Sequence, residues 1–186
     1  MSSEETNNHW VFGYGSLIWR PGFPFLCSQT GLLKGAHRSL CIFSHRHRGT
    51  VHQPGLVFGL VRGGSCRGMA FEVAAADWPA VRDYLREREQ DTAVYREAVR
   101  PVRLRDGRIV SALAFLVDEK HPQFAGRLSA NEQVRMVRMG HGESGANIDY
   151  VVNTVAHLQA LGIRDRQLEE LVELLAPETV SDKPVQ

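Results

Sequence analysis

Trp10-Val-Phe-Gly-Tyr-Gly-Ser-Leu-Ile-Trp-Arg20-Pro-Gly-Phe-Pro24 is the stretch that separates one fold class from another. Residues 10–14 read as a short apolar strand that runs into a glycine-rich turn, Gly13-Tyr-Gly-Ser16. Pro21 and Pro24 stop a helix from starting at Leu17, so the spacing predicts loop after the turn. A dinucleotide-binding fingerprint needs a third glycine and a helix at this point, and position 18 is Ile. A doubly wound nucleotide-binding sheet is therefore not expected.

On the C-terminal side of that turn, strand-like runs at residues 35–43, 55–61 and 67–73 are separated by Gly, Pro and Ser. Asp77 can cap a helix from Trp78, with Pro79 in its first turn and Trp78, Val81 and Leu85 at helical spacing. Two more strands, Tyr95–Leu104 and Ile109–Val117, flank the hairpin signal Asp106-Gly107. The last third is helical. A capping box, Ser129-x-x-Glu132, opens a helix over 131–139 that Gly140 closes. Ile148, Val151, Val152 and Val155 form the stripe of a second helix ended by Gly162. Asp165 caps a third, with Leu168, Leu171, Val172 and Leu175 inward and Pro177 after it. Strands first and helices last, without regular alternation, predict an α+β domain. A small, strongly curved or barrel-like mixed sheet with packed helices is expected over residues 10–176, between tails at 1–9 and 177–186, the latter mobile after Thr179.

The 186 residues carry 22 basic and 21 acidic side chains, a net charge of +1, so no global field draws nucleic acid or an anionic membrane. A small polar substrate is the expected partner. The first residues contain two acids and no apolar signal segment, and no run approaches a membrane span, which predicts a cytoplasmic protein. Cys27, Cys41 and Cys66 are odd in number and far apart, and read as reduced, mostly buried thiols. His45, His47 and His52 lack a carboxylate or cysteine at a useful spacing, so they predict a solvated basic loop rather than a metal site. Arg46, His47 and Arg48 in that loop could meet an anionic substrate by charge. Gly142-Glu-Ser144-Gly-Ala146 falls one residue short of G-x-S-x-G and follows no strand, which argues against a serine nucleophile.

The block Trp10 to Arg20 is similar, nearly letter for letter, to the opening of ChaC-type γ-glutamylcyclotransferases. His47-Arg-Gly49, Gly68-x-Ala-Phe71, Tyr84-Leu-x-x-Arg-Glu89 and Ser144-Gly-x-Asn-x-x-Tyr150 follow in the family's order. The resemblance implies an enzyme that releases 5-oxoproline and Cys-Gly from glutathione without metal, nucleotide or other cofactor. It places Val11, Phe12, Gly13, Tyr14, Gly15 and Ser16, with the adjoining Leu17, on the glutamyl-binding segment and Glu89 on the general base. Between Glu89 and Tyr95 the run Gln-Asp-Thr-Ala-Val departs from the family's glycine-containing loop, which bears on selectivity more than on the reaction.

The residues themselves support a site. Glycines at 13 and 15 let backbone N–H groups approach a carboxylate or a developing oxyanion, because no Cβ shields them. At about 100° per residue, Glu89 falls within roughly 40° of Leu85 on the apolar stripe, whereas Glu87 points the other way. A carboxylate aimed at the core is costly unless it is paired or functional, so a raised pKa is expected there. Tyr150 is either a substrate- or Glu89-facing hydroxyl or a core tyrosine with its hydroxyl satisfied. Because the substrate's own α-amine can close a five-membered ring on its γ-carbonyl, the protein need only fold the chain and move protons. Other γ-glutamyl amino acids or amines, or binding without turnover, are the alternatives. Oligomeric state is not legible.

Overall fold

The computed structural model describes residues 8–90 and 93–176, with Gln90 described through its backbone alone. Five strands close into a barrel: β1 (His9–Gly13), β2 (Cys27–Ser44), β3 (Gly55–Val73), β4 (Tyr95–Leu104) and β5 (Ile109–Val117), in the order β1-β3-β2-β4-β5. The pairings are antiparallel except those that close the ring. There β1 runs parallel to β5 through Trp10↔Ala112 and Val11↔Leu113, and Leu60 of β3 meets Leu116 of β5. Helix α1 (Trp78–Gln90) connects β3 to β4, while α2 (Ala130–Met139), α3 (Asn147–Ala160) and α4 (Arg166–Leu175) follow the barrel. The two-residue strands β6 (His141–Gly142) and β7 (Gly145–Ala146) form a small hairpin between α2 and α3. The expected α+β class and barrel-like sheet are what the chain forms.

The three strand-like runs before α1 are two long strands, and the reason is a bulge. Gly63 and Gly64 on β3 lie opposite the single Gly35 on β2, between the pairs Lys34↔Ser65 and Ala36↔Arg62. All three have positive φ, at 95°, 70° and 87°, a region open to glycine. Residues that read as a turn thus let both strands bend and continue, as a narrow barrel requires.

Side chains alternate along β1. Trp10 and Phe12, with Tyr14 just past the strand, join a core cluster fed by all five strands and by α2, α3 and α4. Val11 faces the other way, into a second cluster where Val81 and Leu85 of α1 pack on β1, β3 and β5. That second cluster fixes the rotation of α1 about its axis.

The helices start as expected, with both bonds of the Ser129 capping box formed and Asp165 accepting from Leu168 N–H. Three details differ. Leu17 lies in a single 3-10 turn, Ser16–Ile18, where loop was expected, since one such turn fits before Pro21. Gly140 does not end α2 in a left-handed conformation; its φ is −70°. It is glycine because a Cβ there would stand 2.7 Å from the Arg48 carbonyl oxygen and 2.9 Å from Gly55 Cα. Val152 is exposed, and Tyr150 and Thr154 take the inward positions of α3 instead. The expected C-terminal tail lies outside the described residues, and the N-terminal one lies outside them up to residue 7. Residue His9, which the expectation put in that tail, opens β1.

Candidate active site

Beyond β1 the chain bends at Tyr14 and Gly15, and a glycine on β3 lets the strand end there approach closely. A Cβ on Gly68 of β3 would lie 2.3 Å from the Gly13 carbonyl oxygen. The turn then tightens, with Ile18 N–H donating to Gly15 O and Arg20 N–H to Ser16 O. The N–H groups of Gly15, Ser16 and Leu17 make no hydrogen bond among the described residues. Three open donors at the start of a helical turn suit a carboxylate or an oxyanion.

A cleft of about 420 Å³ opens over this turn, and Tyr14, Gly15, Ser16 and Leu17 line it together with Glu89 and Tyr150. Val11, Phe12 and Gly13 do not line it. The first two are fully buried in the two clusters on either side of β1, and Gly13 packs within 3.0 to 3.3 Å of Leu17 and Phe71 as measured from an added Cβ. Their contribution is to aim the turn.

Glu89 stands on the last turn of α1, half-buried, while Glu87 is exposed. Its carboxylate makes no hydrogen bond or ion pair among the described residues. Burial pushes its pKa up from 4.5 to about 7, against a smaller downward pull from the Arg88 guanidinium. Such a carboxyl can hold or release a proton near neutrality.

Arg88 joins the helix that carries Glu89 to the turn. It donates to Ser16 Oγ at 2.9 Å, to Tyr84 Oη at 2.9 Å and to the Arg20 carbonyl at 2.8 Å. Tyr14 is held from the other side, its carbonyl accepting from Arg38 Nε; the Arg38 guanidinium also pairs with Asp165 at 3.2 Å.

Tyr150 satisfies parts of both expectations. It is buried in the core cluster, and its hydroxyl accepts from Phe58 N–H at 3.2 Å while lying 3.6 Å from where a Cβ on Gly15 would be. Burial pushes its pKa up to about 12, so the hydroxyl keeps its proton and can donate it toward the cleft. Tyr95, not singled out in the sequence, donates to the Phe58 carbonyl at 2.9 Å, so two tyrosines from different elements grip one residue of β3. Nothing in the local pattern of β4 marks Tyr95 as special; only barrel closure brings it there.

Asn147, which the sequence offered only as a member of the family-like block Ser144 to Tyr150, is fully buried, and its amide bonds both the N–H and the carbonyl of Leu56 at 2.7 Å. It docks the start of α3 on β3 and so delivers Tyr150. In the basic loop, His47 Nδ1 and Ser144 Oγ are 3.0 Å apart, Arg46 pairs with Glu143, and Arg48 lies 5.2 Å above the Tyr150 ring. Both His47 and Arg48 line the cleft. Residues 91 and 92, in the run that departs from the family, lie outside the described residues.

A family model described as ChaC-like protein matches residues 9–178. The glutathione-specific γ-glutamylcyclotransferase of Escherichia coli (strain K12) is 34% identical over 163 residues, 88% of this chain and 71% of that protein. The protein of the same description from Schizosaccharomyces pombe is 30% identical, covering 86% of this chain and 87% of its own. Among solved structures, a γ-glutamyl cyclotransferase specific to glutathione from yeast superposes with a TM-score of 0.83 over 90% of this chain and 95% of that one. At 22% identity that likeness speaks to the fold. With the family model spanning the whole barrel and its helices, and these relatives matched over most of their length, the chain belongs to the ChaC-like family.

Proposed function

We propose that this protein is a γ-glutamylcyclotransferase that converts glutathione to 5-oxoproline and Cys-Gly, with Glu89 as its general base. The observation that carries the reading is the Glu89 carboxyl, without a partner among the described residues and pushed up to about 7, in the same cleft as three backbone N–H groups that are likewise open among those residues. The glutathione-specific relatives from E. coli and fission yeast support the substrate.

In this mechanism the turn of Gly15, Ser16 and Leu17 holds the glutamyl end. Glu89 takes a proton from the α-ammonium, and the freed amine attacks the γ-carbonyl carbon. The Tyr150 hydroxyl donates to the developing oxyanion. The bond to the cysteine nitrogen then breaks, that nitrogen receives the proton from Glu89, and the proton shed by the ring nitrogen leaves with the product amine as its ammonium. No water is consumed and no covalent enzyme intermediate forms. We place the reaction in the cytoplasm, a reading supported by three free cysteines, two of them buried.

The test is incubation of the purified protein with reduced glutathione, followed by mass spectrometry. Equal amounts of 5-oxoproline and Cys-Gly are expected. Release of free glutamate instead would mean that water attacks, and binding without products would make the protein a γ-glutamyl binding module.

A further inference from the structure

The cleft is electrostatically lopsided. Arg20, Arg48 and Arg88 line it against one carboxylate, Glu89. Arg88 spends its donors on Ser16, Tyr84 and the carbonyls beneath the turn. Arg48 uses one nitrogen, Nη1, on the carbonyls of Ser144 and Ala146, and its Nε and Nη2 make no hydrogen bond among the described residues. The guanidinium of Arg20 makes no hydrogen bond or ion pair among the described residues. The Arg20 charge is close enough to disfavour that of Arg48, and Asp149, which favours it, is exposed and not in ion-pair contact with it. Two cations facing one cleft with donors unspent are complementary to an anion.

Tyr150 gives the spacing. Its hydroxyl lies toward Gly15 of the turn, while the Arg48 guanidinium lies over its ring. The Arg48 guanidinium therefore stands about a tyrosine ring beyond the turn, where a leaving group would extend once the glutamyl end occupies the turn N–H groups, and Arg20 lines the same cleft. We infer that Arg20 and Arg48 form a carboxylate subsite for the leaving half of the substrate, so that the protein selects γ-glutamyl peptides ending in a free carboxylate over γ-glutamyl amines. The inference rests on the function proposed above. It assigns the two carboxylates of glutathione to separate places, the α-carboxylate to the turn and the glycine carboxylate to the arginine pair.

The experiment compares glutathione with its glycine amide, which lacks only the second carboxylate. Binding is measured by calorimetry in the Glu89→Gln protein, and turnover in the protein with Glu89 intact. The amide should bind about tenfold more weakly and show kcat/KM lower by a similar factor, the size of one charge-assisted interaction. Arg20→Gln, whose side chain braces nothing among the described residues, should bring the two ligands to within about twofold of each other. Arg48→Gln should do the same, and because it also loosens the 141–146 hairpin, Arg20→Gln is the decisive variant. If Arg20→Gln weakens glutathione and its amide equally, the pair reads the α-carboxylate and the inference is overturned; equal binding of both ligands by the protein with both arginines intact also overturns it. If neither compound is turned over while the binding difference persists, the cyclotransferase reading fails and the subsite stands.

Discussion

Glu87 and Glu89 are two residues apart on one helix, and their surroundings set them to different tasks. Val81 and Leu85 are buried against β1, β3 and β5, which turns Glu89 into the cleft and Glu87 to solvent. Glu89→Gln should lower kcat by about 10² to 10⁴-fold, whereas Glu87→Gln should leave it within about twofold. The same pair reports on stability. With a folded pKa near 7 and an unfolded value near 4.5, Glu89 is protonated in both states at low pH and costs nothing there. As pH rises through 7 the unfolded chain has ionised freely while the folded one ionises against burial, so stability is lost. Glu89→Gln stays neutral and should exceed the parent by about 1 to 3 kcal/mol at about pH 8, with the difference vanishing near about pH 4. Urea melts at the two pH values check this, and a constant difference would mean that Glu89 titrates normally. Arg88 separates charge from grip. Arg88→Met should shift the acidic limb of the kcat/KM profile to higher pH, since the guanidinium pulls the Glu89 pKa down. Arg88→Lys should restore the limb while kcat stays depressed, because an ammonium lacks the fork that spans Ser16, Tyr84 and the Arg20 carbonyl.

At the scale of elements, glycines fall into two kinds, and substitution distinguishes them. Gly68→Ala would place a methyl 2.3 Å from the Gly13 carbonyl and 2.8 Å from the Phe12 ring. Neither can yield without moving the turn, so a loss of about 1 to 3 kcal/mol and a fall in activity should come together. Gly35→Ala meets nothing within 4 Å but must hold φ at +87°. It should cost about 1 to 2 kcal/mol through backbone strain and leave kcat/KM unchanged. Thermal melts alongside turnover check both, and intact activity in Gly68→Ala would show that the turn does not depend on this contact. Elements with strong local signals were legible in the sequence: β4 and β5 around Asp106-Gly107, and the starts of α1, α2 and α4. The first part of β2, from Cys27, was not, because Ser28, Gln29, Thr30 and Gly31 carry little apolar pattern and are ordered by pairing with distant residues 68–71 of β3. The site divides likewise. Glu89 was visible through helical phase, and the turn through its glycines and the family resemblance. Tyr95 was not visible, and Arg20, Arg88 and Asn147 stood in the family-like blocks with no role assigned, since each role depends on contacts that exist only once the barrel has closed.

Across the whole molecule, the barrel and the C-terminal helices share one core. The cluster holding Phe12, Leu33, Leu60, Val102 and Ala114 of the five strands also contains Val137 of α2, Val151 and Leu158 of α3, and Leu171 of α4. A helix packed on a barrel through a separate interface could unfold first, as a unit of its own. Here α3 enters the same cluster and is also fastened to β3 by Asn147, so losing the helices would open the barrel core and remove Tyr150 from the cleft. The expectation is one cooperative transition. Leu171→Ala tests it far from the chemistry: the side chain is 2% exposed on α4, and its truncation should cost about 2 to 5 kcal/mol. Helix content followed by far-ultraviolet dichroism should share a lowered midpoint with fluorescence from Trp10, which sits in β1 within that core, measured with Trp19 and Trp78 replaced by Phe. If the helical signal fell first while the tryptophan signal kept its original midpoint, the helices and barrel would be separate folding units. The site would then be assembled across a boundary that can open, and kcat should fall with the helical signal well below the temperature at which the barrel melts.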